Sequence, residues 1–158
     1  MFTMLTEMGI EGCNVSPGYK FDAVPNQELF ISRKNARRIF KNVLDPKRQL
    51  RFYNNPLYLE FLRGNRDYQC TAWSNPTYTT MGWREPCYLI GDRHTQEIGG
   101  LLSDEVWEKY GVGKDIRCAN CMMHCGFESA SIFGALKKPA DAYKLLKEGA
   151  VQNSGVGA

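Results

Sequence analysis

The stretch CANCMMHC, residues 118–125, sets three cysteines and a histidine within eight positions of a chain that holds six cysteines and two histidines in all. Thiols at that density can hold a soft metal or an iron-sulfur cluster, close disulfides, or work as a dithiol redox pair on Cys118 and Cys121. The N-terminal MFTMLTEMGIEG lacks the basic start and apolar run of a signal peptide, and no stretch reaches the length of a membrane span. We therefore expect a cytoplasmic protein, where reducing conditions disfavour structural disulfides. A thioredoxin-like pair asks for a βαβ setting around the motif, and the sequence around Cys118 offers none.

The other cysteines follow a second pattern, Cys70-x11-Gly82-x4-Cys87, and Cys118-x2-Cys121-x3-Cys125 comes after a thirty-residue interval. Four thiolates converging from two segments suit tetrahedral zinc and a 4Fe-4S cluster alike. Zinc knuckles come as matched Cys-x2-Cys pairs and the chain has one such pair, whereas a cluster accepts scattered ligands. Cys13 lies in an apolar stretch and reads as a small buried hydrophobe.

Elements that would position these residues can be read outward from them. FTMLTEMG reads as the end of a helix stopped by Gly9, and IEGCNVS as a short buried strand. A Pro/Gly turn and a polar loop lead to a basic helix from about Ser32 to Leu44, with Ser32 as N-cap and Ala36, Ile39, Phe40 and Val43 on its apolar face. NPLYLEFLRGN gives a short helix between Pro56 and Gly64. Tyr68 to Ile90 reads as irregular loop with short strands. Further helices are expected at SDEVWEKYG, from about Cys121 to Leu136, and at PADAYKLLKEG, with a disordered tail at 151–158. The strand at Ile10–Ser16 has no evident partner of its kind, so the chain reads as the C-terminal piece of something larger, unless Tyr68–Ile90 supplies antiparallel neighbours. The length of 158 residues and 43% hydrophobic content are those of one domain-sized unit. A net charge of +3, from 20 basic and 17 acidic residues, points to no nucleic-acid partner, and the run SRKNARRIFK reads as a solvated face.

GIEGCNVSPGY (9–19), CTAWSNPTYTTMGWREPCYLIG (70–91), KYGVG (109–113) and CANCMMHCGFE (118–128) resemble, in order and spacing, the C-terminal part of the radical S-adenosylmethionine proteins of hopanoid biosynthesis, the adenosyl-hopene transferase family. The Cys-x11-Gly-x4-Cys element is also similar to the opening of auxiliary-cluster domains in that superfamily. The resemblance implies a partial TIM-type barrel whose 4Fe-4S cluster reduces S-adenosylmethionine to a 5'-deoxyadenosyl radical that adds to a hopene. The fold expected is then an α/β fragment: a last barrel strand unit at 1–25, a helical, loop-rich cysteine domain at 26–150, and the tail.

Ser16, Pro17, Gly18 and Tyr19 would face the cofactor at the mouth of that barrel. Cys87, Cys118, Cys121 and Cys125 are the preferred ligands of an iron-sulfur or zinc centre. Cys70 competes with them, and His124 would orient a sulfur from outside the ligand set. Trp73, Trp83, Tyr78 and Tyr88 would offer an apolar substrate an aromatic wall or form a miniature core, and Asn75 would hold a loop. The radical-generating Cys-x3-Cys-x2-Cys and the family's glycine-rich cofactor loop are missing, so no catalytic residue is assigned. The chain alone is expected not to cleave S-adenosylmethionine: it reads as a truncation, gene fragment or half of a split enzyme that needs an N-terminal barrel or partner chain. A hopene-like lipid substrate would draw it to the membrane periphery. The reading from a different class is a free-standing zinc-binding structural or interaction module.

Overall fold

In a computed structural model, residues 2–20, 24–45 and 51–153 are described. Gly9 ends α1 (Phe2–Glu7) as expected, with φ +79° and with the amides of Gly9 and Ile10 donating to the carbonyls of Thr6 and Leu5. The expected strand at Ile10–Ser16 shrinks to one parallel bridge between Cys13 and Phe52. Cys13 N–H donates to the Arg51 carbonyl and Tyr53 N–H to the Cys13 carbonyl, both at 3.0 Å. The ladder stops there because the next inward amide, Val15 N–H, is taken by Asn54 Oδ1 at 2.7 Å. So the stretch has a partner within its own chain, neither orphaned nor antiparallel, and the partner is the short RFY segment whose brevity hides it in the sequence.

A parallel pair needs a crossover connection, and α2 (Arg33–Val43) lies in it. Ser32 caps it, its Oγ accepting from Asn35 N–H at 3.3 Å. Of the expected apolar face, Ala36 and Phe40 are buried with Leu44, Val43 packs at the edge, and Ile39 is exposed. Helix α3 (Pro56–Leu62) starts on Pro56 after the Asn55 cap and ends at Gly64, φ +80°. Phe52, Tyr58, Phe61 and Leu62 join Phe40, Met122 and Phe127 in one core, where the Phe61 and Phe127 rings stack with centroids 4.6 Å apart.

The loop-rich region carries β1 (Tyr78–Thr79), β2 (Gly82–Glu85) and β3 (Arg93–Thr95) in an antiparallel sheet of order β1-β2-β3, with Trp83 opposite both Tyr78 and Thr95. It stands apart from the Cys13–Phe52 bridge. Short helices α4 (Ile98–Leu101) and α5 (Asp104–Lys109) follow. The helix expected from Cys121 begins three residues later, as α6 (His124–Ala135), because Met123 is extended (ψ 141°). Helix α7 (Pro139–Asn153) passes through Gly149 and makes 151–153 helical, against the expected disorder; 154–158 lie outside the described residues. The architecture is thus mixed α/β, and the described residues contain one parallel bridge and no barrel. Among them no helix is long and apolar enough to cross a membrane.

A polar network closes the junction of these parts. Glu128 of α6 accepts from Asn55 N–H (2.7 Å) and Asn54 Nδ2 (3.4 Å), while Asn55 Nδ2 donates to the Glu128 carbonyl (3.2 Å). Asn55 Oδ1 meanwhile caps α3 through Tyr58 N–H (2.9 Å) and accepts from the buried Ser131 hydroxyl (3.0 Å). Replacing Asn55→Ala removes a cap and strands buried donors and acceptors together, each worth roughly 1–2 kcal/mol. We predict a loss of at least about 2 kcal/mol in chemical denaturation; a change under about 0.5 kcal/mol would refute this account of the junction.

At the far end of α3, Glu60 pairs with both Arg66 and Lys144, and Arg66 Nη1 reaches Asp141 at 2.7 Å. For Glu60, burial pushes the carboxyl up but the bonds from Lys144 and Arg66 outweigh it, and the net shift is down; for Asp141 the Arg66 bond lowers it directly. Lowered carboxyls stabilise the fold above their ordinary values, 4.5 and 3.8, and that stability is lost as pH falls through the folded values. Asp141→Asn should therefore lower the melting temperature near neutral pH and make the acid-side decline shallower. An unchanged acid slope would count against the network.

Candidate metal centre

Five cysteines, Cys70, Cys87, Cys118, Cys121 and Cys125, line one cavity, and each is brought there by its own local structure. Cys70 precedes the turn Ala72–Ser74, which is tied to α6 where Thr71 N–H and Oγ1 both donate to the Gly126 carbonyl (2.9 and 3.1 Å) and Ser74 Oγ meets Ser129 Oγ (2.7 Å). Cys87 follows β2 after a cis Glu85–Pro86 peptide, and its carbonyl accepts from Gly91 N–H at 3.0 Å. Cys118 closes the turn Ile116–Cys118, whose N-cap Asp115 accepts from Arg117 N–H (2.8 Å). Cys125 sits in the first turn of α6.

Two arginines bring these segments together. The Arg117 guanidinium forks onto both oxygens of Asp92 (2.6 and 2.7 Å) and onto Asp115 (2.7 Å), and Tyr110 Oη also donates to Asp92 (2.8 Å). This bidentate clamp fastens the Cys118 turn to the loop after Cys87. The Asp92 and Asp115 carboxyls are held low chiefly by the Arg117 hydrogen bonds. Arg33, at the start of α2, donates from Nη2 to the Cys121 carbonyl (3.0 Å) while its backbone N–H meets Asn120 Oδ1 (3.0 Å). The same guanidinium lies 5.2 Å from the centroids of Phe61 and Phe127, a cation–π arrangement that locks the Cys121 loop to the core. Tyr58 Oη adds a bond to the Met122 carbonyl at 2.9 Å.

Nearby backbone N–H groups act to favour each thiolate: Ala72 for Cys70, Leu89 and Ile90 for Cys87, Gly111 for Cys118, Met123 for Cys121 and Gly126 for Cys125. Burial nevertheless pushes every one of these thiols up, Cys70 to about 12 and Cys125 to about 11, with neighbouring thiols adding to the effect at all but Cys87. Amides aimed at sulfur favour thiolate, while the apolar walls Leu89, Ile90, Val112 and Phe127 disfavour unpaired charge. A cation bound to the sulfurs would satisfy both, and thiolate is the donor type that zinc and iron-sulfur clusters alike take. Among the described residues no three His, Cys, Asp or Glu side chains stand close enough to hold a single metal ion between them. Thiolates around a four-iron cluster stand farther apart than ligands of a single ion, and it is their common wall that bears on such a group.

The remaining expected site residues scatter. Ser16 Oγ sits between Tyr58 Oη (3.2 Å), Met123 Sδ (3.6 Å) and the His124 amide (3.4 Å), a structural position under the cysteine loop. Pro17 is buried and Gly18 exposed, while Tyr19 lines the cavity and donates from Oη to the Arg117 carbonyl at 3.4 Å. His124 is exposed and off the cavity lining, and it meets Ser16 through its backbone. Cys13 packs against the core. Trp73 stacks on Phe133 (5.3 Å) and Trp83 meets Tyr78 edge-on (5.0 Å), both off the cavity lining. Asn75 is exposed; the side chain that holds its turn is Ser74, whose Oγ donates to the Thr71 carbonyl at 2.6 Å. Tyr88 is off the lining but close enough to feel it: burial first and the Cys125 thiol second push its hydroxyl up to about 12. The aromatic lining that sequence reasoning missed is Trp107, Tyr110 and Phe127 beside Tyr19. Tyr110 lies within KYGVG (109–113) and Phe127 within CANCMMHCGFE (118–128), but neither motif marked them as lining, and Trp107 stood out only as part of a helix.

Fold and site define a small mixed α/β domain built around a cavity of cysteines. The chain belongs to the family described as a domain of unknown function, DUF3463, whose model matches residues 13–145, a span that takes in the 13–19 turn and all five cavity cysteines. No curated protein and no solved structure matches it.

Gly126 gives this geometry a sharp test, because a Cβ there would lie 2.3 Å from Cys70 Sγ. Alanine within a helix ordinarily stabilises by about 1 kcal/mol over glycine, whereas forcing a carbon into a filled site costs about 1–3 kcal/mol. We predict that the clash wins: Gly126→Ala lowers the melting temperature and speeds labelling of Cys70 by a thiol reagent, read by mass spectrometry. A more stable variant with unchanged labelling would show that the Cys70 sulfur does not lie against α6.

Proposed function

We propose that this chain is the cysteine-bearing C-terminal region of a radical S-adenosylmethionine enzyme of the kind that resembles adenosyl-hopene transferase, and that four of its five cavity cysteines hold an auxiliary 4Fe-4S cluster. The observation that carries the reading is the common cavity: the cysteines of the loops at Cys70 and Cys87 and of the 118–125 run share one wall. The order and spacing of the motifs at 9–19, 70–91, 109–113 and 118–128 support it independently. Bound there, the cluster would supply electron transfer or a ligand position for substrate.

The chain's own residues would set its surroundings. Cys87, Cys118, Cys121 and Cys125 are the proposed ligands, with Cys70 behind them against Gly126. Arg117 and Arg33 fix the loops, and Tyr88 stands beside Cys125, where it favours the thiolate. Leu89, Ile90, Val112 and Phe127 keep water from the sulfurs. The radical would arise on an N-terminal barrel or partner chain, with an apolar, hopene-like molecule as the acceptor.

The test is anaerobic purification and reconstitution with iron and sulfide, followed by metal analysis and a visible spectrum. We expect a brown protein with about four irons per chain, and Cys87→Ser should lose most of that iron because a hydroxyl is a poor ligand for a soft site. Stoichiometric zinc with no visible absorption would favour the zinc-module reading instead, and full iron retention in Cys87→Ser would remove Cys87 from the ligand set.

A further inference from the structure

The exposed side of α2 poses a problem that the cysteine site does not solve. Lys34, Arg38 and Lys41 lie exposed on it, the half-buried Arg33 and Arg37 border it, and Arg63, at the end of α3, joins them around one open groove. Three pairs of these cations, 33/37, 34/38 and 37/41, stand one helical turn apart, a spacing at which like charges destabilise a helix. Among the described residues the one carboxylate that pairs with this set is Asp67, through Arg37. The Nε atoms of Arg33, Arg37 and Arg63 are buried without a hydrogen-bond partner.

We propose that this groove is a binding site for clustered phosphate oxygens. Guanidinium groups offer planar, paired donors that match phosphate geometry, and an anion in the groove would relieve the repulsion along α2. The basic stretch from residue 33 to 41 runs about 12 Å along the helix, enough for a few linked phosphates. A nucleic acid is the less suited ligand, because a chain of net charge +3 lacks the strongly basic balance of a nucleic-acid-binding domain. A free oligophosphate and a phospholipid headgroup present the same chemistry, and the experiment separates them.

The measurement is titration of the full chain with tripolyphosphate at near-physiological salt, in parallel with sedimentation on phosphatidylcholine vesicles with and without phosphatidic acid. Lys34→Ala/Arg38→Ala, both exposed positions, should weaken binding at least tenfold, and Arg63→Ala should weaken it too. Lys137→Ala/Lys147→Ala, which removes equal charge from elsewhere, should leave it within about twofold. Binding to tripolyphosphate identifies a soluble ligand, and binding to phosphatidic acid vesicles alone a headgroup; either supports the site. No binding to either probe, or equal weakening by the two double variants, would overturn it. These readouts do not involve iron or thiols, so they stand or fall separately from the cluster.

Discussion

The junction at Asn54, Asn55 and Glu128 is the constraint on which the rest of the molecule depends. Parallel backbone at Cys13 and Phe52 forms a single bridge, far too little ladder to hold two segments side by side. What holds them is side-chain chemistry: Asn54 takes the Val15 amide, Asn55 caps α3, and the Glu128 carboxylate accepts from both asparagines. A buried network of this kind is stable because nearly every donor has an acceptor, and it fails as a unit because each member would be costly to strand. Through it the start of α6 is fixed to the N-terminal segment, and Cys125 is fixed with it.

The cysteine cavity then follows from a second layer of contacts. No thiol in it attracts another. Burial and mutual repulsion both work against thiolates there, so the convergence has to be imposed from outside. Arg117 does this for Cys87 and Cys118 through Asp92 and Asp115, and Arg33 does it for Cys121 through the carbonyl beside it. Arg117 is partly exposed, and an isolated surface pair would be worth little; its forked bonds to two carboxylates and the Tyr110 hydroxyl make it a network instead. Arg33 is stronger for being half-buried against two aromatic rings.

Helix α2 consequently serves three ends at once. Ala36 and Phe40 contribute to the core, Arg33 steadies the Cys121 loop, and the exposed cations are left crowded along the remaining face. A helix free to optimise its own stability would intersperse acidic residues at i+4. That this one does not is a property of the surface, independent of the fold it covers.

Sequence alone was enough for whatever depends on near neighbours. The Ser32 cap of α2, the Pro56 start of α3, the glycine stops at Gly9 and Gly64, and the loop-rich character of Tyr68–Ile90 all rest on interactions a few residues long, and such interactions are written in the local order of side chains. The density of cysteines at 118–125 was equally plain. Tertiary structure decided the rest. It alone paired Cys13 with Phe52, because a three-residue strand carries no periodicity to read. It alone drew the aromatic lining from Trp107, Tyr110 and Phe127 and turned Trp73 and Trp83 elsewhere, since an aromatic's neighbours depend on packing between distant segments. Above all, it put sulfurs as far apart in sequence as Cys70 and Cys125 on one wall, through contacts such as Arg117 to Asp92 and Thr71 to Gly126 whose partners lie tens of residues apart.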